Sequence, residues 1–302
     1  MKEKSALETK EHIESVSELY TLPSVLFEIL ALCQDPDSAS RDISRCVERD
    51  QAIAMKVLRV ANSAYTGLHQ RVSSIPLAVH LLGPREVVEL ATSVAVFQFV
   101  SGKYSDSRLD LKLLWNHSIL TAVASGLISD RLDRPSTGIE FTAGLLHDIG
   151  KVVMAQEFPD EMSVALDMAD SRQIPLIDAE TKVFGVSHAR TGSWLAEMWG
   201  LPQRLTEAIR FHHTPTDVLS AVPPTTDPSL SAIIYLADAA SQIGSADQTD
   251  ISTPDNETID TARQLLVLEN SSVDTERLAD IIEEINASTD RVEKLTSAFG
   301  AD

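Results

Sequence analysis

Five of the eight histidines in this chain, His117, His147, His188, His212 and His213, fall between residues 117 and 213, and His147 is followed directly by Asp148 in the run GLLHDIGK. Imidazole nitrogens and carboxylate oxygens are ligands for borderline divalent metals. Buried on helices, the same side chains would otherwise each need a separate hydrogen-bonding explanation. Asp238 adds a carboxylate in the apolar run SAIIYLADAASQ, where its charge is costly without a partner. The chemistry these residue types offer is therefore metal binding. Nitrogen-rich ligation favours iron, manganese, nickel or zinc over calcium or magnesium. Lys151 lies four residues after His147, one helical turn on, where it could meet an anionic oxygen in the site. A surface lysine with its stem laid along the helix is the competing reading.

Helical elements must position these donors, because helical periodicity prevails and β signals are nearly absent. Leu22 to Leu32 opens with Pro23 and carries Val25, Leu26, Ile29 and Leu30 on one face. Shorter helices follow around Ile43 to Val47 and Gln51 to Ala61, with Asn62 expected to end the latter. Ser74 to Leu82 stops at Gly83-Pro84, and Pro84 starts a long apolar helix through Val87, Val88, Ala91, Val94 and Ala95. A helix near Leu111 carries Trp115, His117, Ile119 and Ala122. Another runs from about Gly138 to Gln156, so His147 and Asp148 diverge by about 100° around it. Both reach one centre only if that helix bends or the centre is dinuclear, and Gly150 permits the distortion. Ser187 is placed to cap the helix that opens at His188 and stops at Gly200 and Pro202. His212 and His213 then occupy the last turn before Pro215.

The polar stretch SGKYSDSR at 101–108 is the candidate hinge. It divides an N-terminal helical lobe (1–107) from a metal-binding helical lobe (108–244). Residues 245–302 form a polar linker and a C-terminal amphipathic helix, with Leu278, Ile281, Ile282, Ile285, Val292, Leu295 and Phe299 on one stripe docked on the core. That stripe could also serve as a dimer interface.

Composition limits the partners. The 302 residues can bury a large core, and 43% hydrophobic content with a mean hydropathy of -0.02 describes a soluble globular protein. Its formal net charge of -20 repels phosphate backbones and anionic membranes, and Lys and Arg form no dense run, so DNA binding is not expected. The start lacks an apolar signal core, and no stretch reads as long enough to span a bilayer, which leaves a cytoplasmic protein with no membrane contact as the expectation. Cys33 and Cys46 have no CxxC spacing and read as reduced core thiols.

The order His117, His147-Asp148 and a distant Asp238 resembles the H…HD…D signature of the HD metal-dependent phosphohydrolase superfamily. His188, His212 and His213 resemble the further ligands of its dinuclear branches. LPSVLFEIL, Arg49-Asp50, KVLRVANSAYTG and SSIPLAVHLLGPREVVELA together resemble an HDOD domain, a helical relative of the HD and HD-GYP domains of bacterial signalling proteins, over roughly residues 20–243. The resemblance implies an all-α, two-lobed fold whose second lobe is an HD-type helical bundle. It implies one metal held by His117, His147, Asp148 and Asp238. In the dinuclear relatives the aspartate matching Asp148 bridges to a second metal, held here by His188 and His212 with His213 as an alternative ligand.

The same resemblance points toward regulation, because HDOD proteins as a class are associated with it. HHTPTDV after Phe211 also departs from the HHExxDGxGYP motif of cyclic-di-GMP phosphodiesterases, so that reaction is not expected. The favoured expectation is a metal-binding signalling module that acts through signalling proteins, with Asn62, Ser63 and Tyr65 as a recognition patch or, equally, a helix cap and packed turn. The alternative is a metal-dependent phosphohydrolase or phosphodiesterase acting on a nucleotide or related phosphate ester, with Lys151 stabilising developing charge. Basic side chains near the metals would discriminate, and only Lys151, Arg190 and Arg210 stand nearby in sequence.

Overall fold

The computed structural model describes residues 4–35, 37–64, 71–101, 108–132, 134, 137–220 and 227–241, and from the C-terminal part 260–262, 280, 281, 283–285, 287, 288, 292 and 296. All regular structure among these residues is helical. In chain order the helices are α1 (Ala6–Val16), α2 (Ser24–Gln34), α3 (Ser40–Arg49), α4 (Gln51–Ala64), α5 (Ile75–Leu82), α6 (Pro84–Ser101) and α7 (Leu111–Arg131). They continue with α8 (Ile139–Leu146), α9 (Ile149–Glu157), α10 (Pro159–Arg172), α11 (Leu176–Phe184), α12 (His188–Met198), α13 (Gln203–Phe211) and α14 (Pro228–Ala240).

The local signals act as their chemistry requires. Ser74 caps α5 by accepting from the Leu77 N–H, Gly83 ends that helix at φ 89°, and Pro84 opens α6. Asp110 caps α7 through the Leu113 N–H, and Ser187 caps α12 through the Arg190 N–H. Val25, Leu26, Ile29 and Leu30 form the buried stripe of α2. One apolar cluster runs from Ile13 to Val292 and includes α6 and α7, both inward-facing over most of their lengths.

Several elements differ from the sequence reading. Asn62 does not end α4, which continues to Ala64. Its side-chain amide instead donates to the Leu58 and Val72 carbonyls at 2.7 and 2.8 Å and accepts from the Val72 N–H at 2.9 Å, tying α4 to the segment before α5. The single helix expected over 138–156 is two helices, broken at His147 and Asp148. Helices α1, α10 and α11 have no counterpart in the sequence reading. By length and composition α7 could cross a membrane, with a mean hydropathy of 1.2 over its best window, contrary to the expectation that no stretch is long enough; 61% of that window is buried inside the protein.

Of the 101–108 stretch, Ser101 closes α6 and Arg108 precedes α7, while 102–107 lie outside the described residues. The polar linker at 244–258 also lies outside them, as do Leu278, Ile282, Leu295 and Phe299 of the terminal stripe. Ile281, Ile285 and Val292 are buried, and Glu284 pairs with Arg131 of α7 at 2.6 Å.

Candidate metal centre

Two glycines allow the helices bearing the site to approach. A Cβ at Gly150 in α9 would lie 2.0 Å from the His188 carbonyl oxygen and 2.7 Å from the Gly192 nitrogen, so the first turns of α9 and α12 cross at backbone contact. A Cβ at Gly144 in α8 would lie 2.7 Å from the Ala122 Cα of α7. These two crossings bring the break between α8 and α9 against His117 on one side and His188 on the other. The helix C-terminus of α13 supplies His212 and His213, and α14 supplies Asp238.

The break gives Asp148 two directions to face. Its Oδ2 lies 3.4 Å from His147 Nε2 and 3.8 Å from His117 Nε2. Its Oδ1 lies 3.2 Å from His188 Nε2 and 3.7 Å from His212 Nε2. Asp238 Oδ1 stands 3.1 Å from His117 Nε2 and 3.7 Å from His147 Nε2. His213 Nε2 stands 3.0 Å from His188 Nε2. The result is two clusters with donor atoms within 4.8 Å of one another: His117, His147 and Asp238, and Asp148, His188, His212 and His213. His147, Asp148, His188 and His212 are almost wholly buried, whereas the His213 side chain is 29% exposed and that of His117 15%.

Hydrogen bonds fix which nitrogen faces inward. Nδ1–H donates to a backbone carbonyl from His117 to Ser241 (3.1 Å), from His147 to Gly144 (2.6 Å) and from His212 to Ile209 (2.7 Å). Nδ1 of His188 donates instead to Glu180 Oε2 at 2.6 Å. With Nδ1 committed, each Nε2 presents its lone pair to the cluster, as a ligating imidazole does. Lone-pair nitrogens facing one another at 3.2 Å (His117 and His147) and 3.3 Å (His188 and His212) do not make a sound hydrogen bond when both are neutral. Ligand atoms around one ion at metal–nitrogen distances of 2.0–2.1 Å, however, sit roughly 2.9–3.4 Å apart. Asp148 Oδ1 is buried without a hydrogen-bond partner, as an oxygen reserved for a cation would be. On these observations the residues fit a divalent transition metal in each cluster.

The electrostatics agree with that fit. Burial disfavours charge on Asp148, but Lys151 and His147 outweigh it and hold the carboxyl well below its usual range. Asp238 is likewise held low, the neighbouring imidazoles of His117 and His147 outweighing burial. Burial and the neighbouring imidazoles keep His212 low and push His213 down to about 4, leaving both neutral as ligands must be. His188 goes the other way: burial would lower it, and Glu180 holds it up at about 9, so a metal at its Nε2 would take the place of a proton there. Lys151 is raised, its burial outweighed by Asp148, whose Oδ2 it meets at 2.5 Å.

A cavity of about 530 Å³ opens onto both clusters; its lining includes His117, Asp148, Lys151, His213 and Asp238 on the inner side. Leu109, Leu113, Leu166 and Leu176 line its outer side, with Arg108 at the rim. Arg190 and Arg210 do not line it; their guanidinium groups lie over the rings of Trp194 and Phe211. Sequence reasoning missed Arg108 and Glu180. Glu180 left a signal, since it interrupts the apolar stripe Leu176, Ala179, Val183 of α11 with a carboxylate. In the N-terminal half, Asn62 is turned inward as described, the Ser63 side chain and Tyr65 lie outside the described residues, and no such cluster of donors occurs among the described residues.

Fold and site together define an all-helical protein with a His/Asp cluster able to bind metal. Residues 19–215 match the HDOD domain family, and the chain belongs to it. A protein of Treponema pallidum (strain Nichols) whose function is uncharacterised is 31% identical over 201 residues, 66% of this chain but only 38% of that protein. Among solved structures, an HDOD domain protein of unknown function from Geobacter sulfurreducens superposes with a TM-score of 0.74 at 25% identity, covering 95% of this chain and 99% of the other. A Shewanella amazonensis SB2B protein, provisionally designated a phosphohydrolase, shares the fold with a TM-score of 0.67 at 24% identity over 95% of this chain and 97% of its own.

Proposed function

We propose that this HDOD chain holds two divalent transition metals, of the iron, manganese, nickel or zinc type, and hydrolyses a phosphate ester at them. His117, His147 and Asp238 would hold one metal and His188, His212 and His213 the other, with Asp148 facing both clusters. The observation that carries this reading is the cavity of about 530 Å³ over both clusters. A metal that only braces a fold sits in a closed site, whereas a working one keeps an open face.

When bound, the metals supply Lewis acidity to a phosphoryl oxygen and to the attacking water. The protein's own residues do the rest. Lys151 holds a positive charge on the cavity wall beside Asp148, within the space a phosphoryl group would enter. The leucines of the outer wall exclude water from that space and receive the alcohol portion of the ester. Arg108, held at the rim by Asp167 and Ser163, gives an anionic ligand a second positive contact.

A regulatory role through signalling proteins is the second reading. It draws support from the scarcity of free positive charge, since Lys151 and Arg108 are both already paired with carboxylates in a chain of formal charge -20. The experiment that separates them loads the protein with Mn, Fe, Ni or Zn and assays aryl phosphomonoesters, phosphodiesters, nucleotides and cyclic dinucleotides beside His147→Ala. We expect metal-dependent turnover of about 1 per second or faster on at least one ester, abolished in the variant. Full metal loading with no turnover above the variant's background rejects the enzyme and leaves the regulatory reading.

A further inference from the structure

The two clusters are unequal in charge. The one built on His117 and His147 has Asp238 Oδ1 at 3.1 Å and also faces Asp148 Oδ2. The one built on His188, His212 and His213 has the shared Asp148 at 3.2 Å through Oδ1, and Asp238 comes no nearer to it than 3.8 Å, from Oδ2 to His213 Nδ1. Two dications on a set whose second carboxylate, Asp238, leans toward the first cluster leave the second position short of negative charge.

Glu180 stands just behind that position. Its Oε2 accepts from His188 Nδ1 at 2.6 Å and from the His188 backbone N–H at 2.8 Å. Of the four imidazoles whose Nδ1 is anchored, His188 is the one that leans on a carboxylate; His117, His147 and His212 lean on backbone carbonyls. Glu180 is fully buried, and its Oε1 has no hydrogen-bond partner. Burying a half-satisfied carboxylate is costly, and capping the first turn of α12 does not require it, because Ser187 already caps that helix.

We propose that Glu180 is the charge-completing positioning residue of the second metal position. It acts through His188, fixing the ring with Nε2 inward and making that nitrogen a stronger donor without touching the metal. The inference rests on the dinuclear reading given under the proposed function.

Glu180→Gln tests it, because the amide keeps the size and an accepting oxygen and removes only the charge. Titration of the full chain with Zn²⁺ or Mn²⁺ against a competing chelator gives the affinity of each equivalent, and Co²⁺ absorption reports the geometry of each position. The unmodified chain should take up two equivalents. Glu180→Gln should keep the first at parental affinity and bind the second about 10–100-fold more weakly, and Glu180→Asp should recover part of that loss. Parental affinity for both equivalents in Glu180→Gln overturns the inference, and so does equal weakening of both, which would make the residue merely structural. Should Glu180→Gln not fold, histidine ¹⁵N NMR of the Zn²⁺-loaded parent must show His188 Nδ1–H far downfield, bonded to an ionised carboxylate; its absence overturns the proposal. A parent that binds no metal fails the dinuclear reading itself. Two equivalents bound alike by parent and variant fail only the role of Glu180.

Discussion

The N-terminal helices α2 to α6 and the later helices α7 to α14 share one apolar core but treat their ionisable groups differently. In the first set charges are matched in pairs, most of them in contact with water: Arg49 meets Glu28 at 2.6 Å with both side chains exposed. The inward-facing Glu89 is reached by Arg85 from one turn away, at 2.9 Å. In the second set His147, Asp148, Glu180, His188, His212 and Asp238 are all buried at a single point. Their pairwise contacts leave Asp148 Oδ1 and Glu180 Oε1 without hydrogen bonds. A surface pair contributes little and could be lost at small cost, whereas a buried cluster of this size persists only with collective compensation. Function is therefore located where many buried ionisable groups meet at one point.

Removing metal should break this contrast most severely. A ligand bound only to the folded state stabilises it by about 4 kcal/mol per site at a thousandfold excess over its Kd, so stripping two sites should lower the melting temperature by roughly 10–15 °C. Hydrogen exchange should place the loss in α7 to α14, with α2 to α6 keeping most of their protection. A melting curve unchanged after verified metal removal would show that the cluster is not held together by metal.

Gly150→Ala comes next. The added methyl would meet the His188 carbonyl at 2.0 Å and the Gly192 nitrogen at 2.7 Å, both backbone atoms that cannot rotate away. Forcing α9 from α12 should cost about 3 kcal/mol or more and separate Asp148 from His188. Thermal melting together with metal content checks it. A variant with parental stability and two bound equivalents would mean that the α9–α12 crossing does not set the site.

How much of this was legible in the sequence depended on whether the signal was local. Capping at Ser74 and Ser187 and the Gly83-Pro84 breaker are carried by neighbouring backbone groups, so those boundaries could be read directly. The order His117, His147-Asp148, His188, His212-His213, Asp238 was visible because histidine is scarce in the chain. Glu180 left only the faint signal of a carboxylate in an apolar stripe, and DAETK looks like a solvated helix face until α10 and α11 are placed. The break at His147 and Asp148 was half visible: the adjacency of two donors called for a bend or a second metal and Gly150 permitted the bend, but the close backbone approach of α12 at Gly150 is a tertiary fact. Asn62 resembled a helix end because asparagine favours such positions, but its amide is used across a ten-residue gap to Val72.

Asn62→Ala gives the smallest of these effects and sharpens the comparison from the other side. The side chain makes three hydrogen bonds, and its loss leaves the Val72 N–H and carbonyl without the partner they now have. Removing one partner of a buried or half-buried pair costs about 1–3 kcal/mol, which in a protein of this size lowers the melting temperature by roughly 2–5 °C. Because the contact lies wholly within the N-terminal helices, the number of metal equivalents bound and their affinities should not change. Calorimetry and metal titration on the same preparation read both quantities. Loss of metal in Asn62→Ala would show that the two regions are coupled and that the first set of helices also holds the centre in shape. A lower melting temperature with metal binding intact would confine Asn62 to packing within its own half.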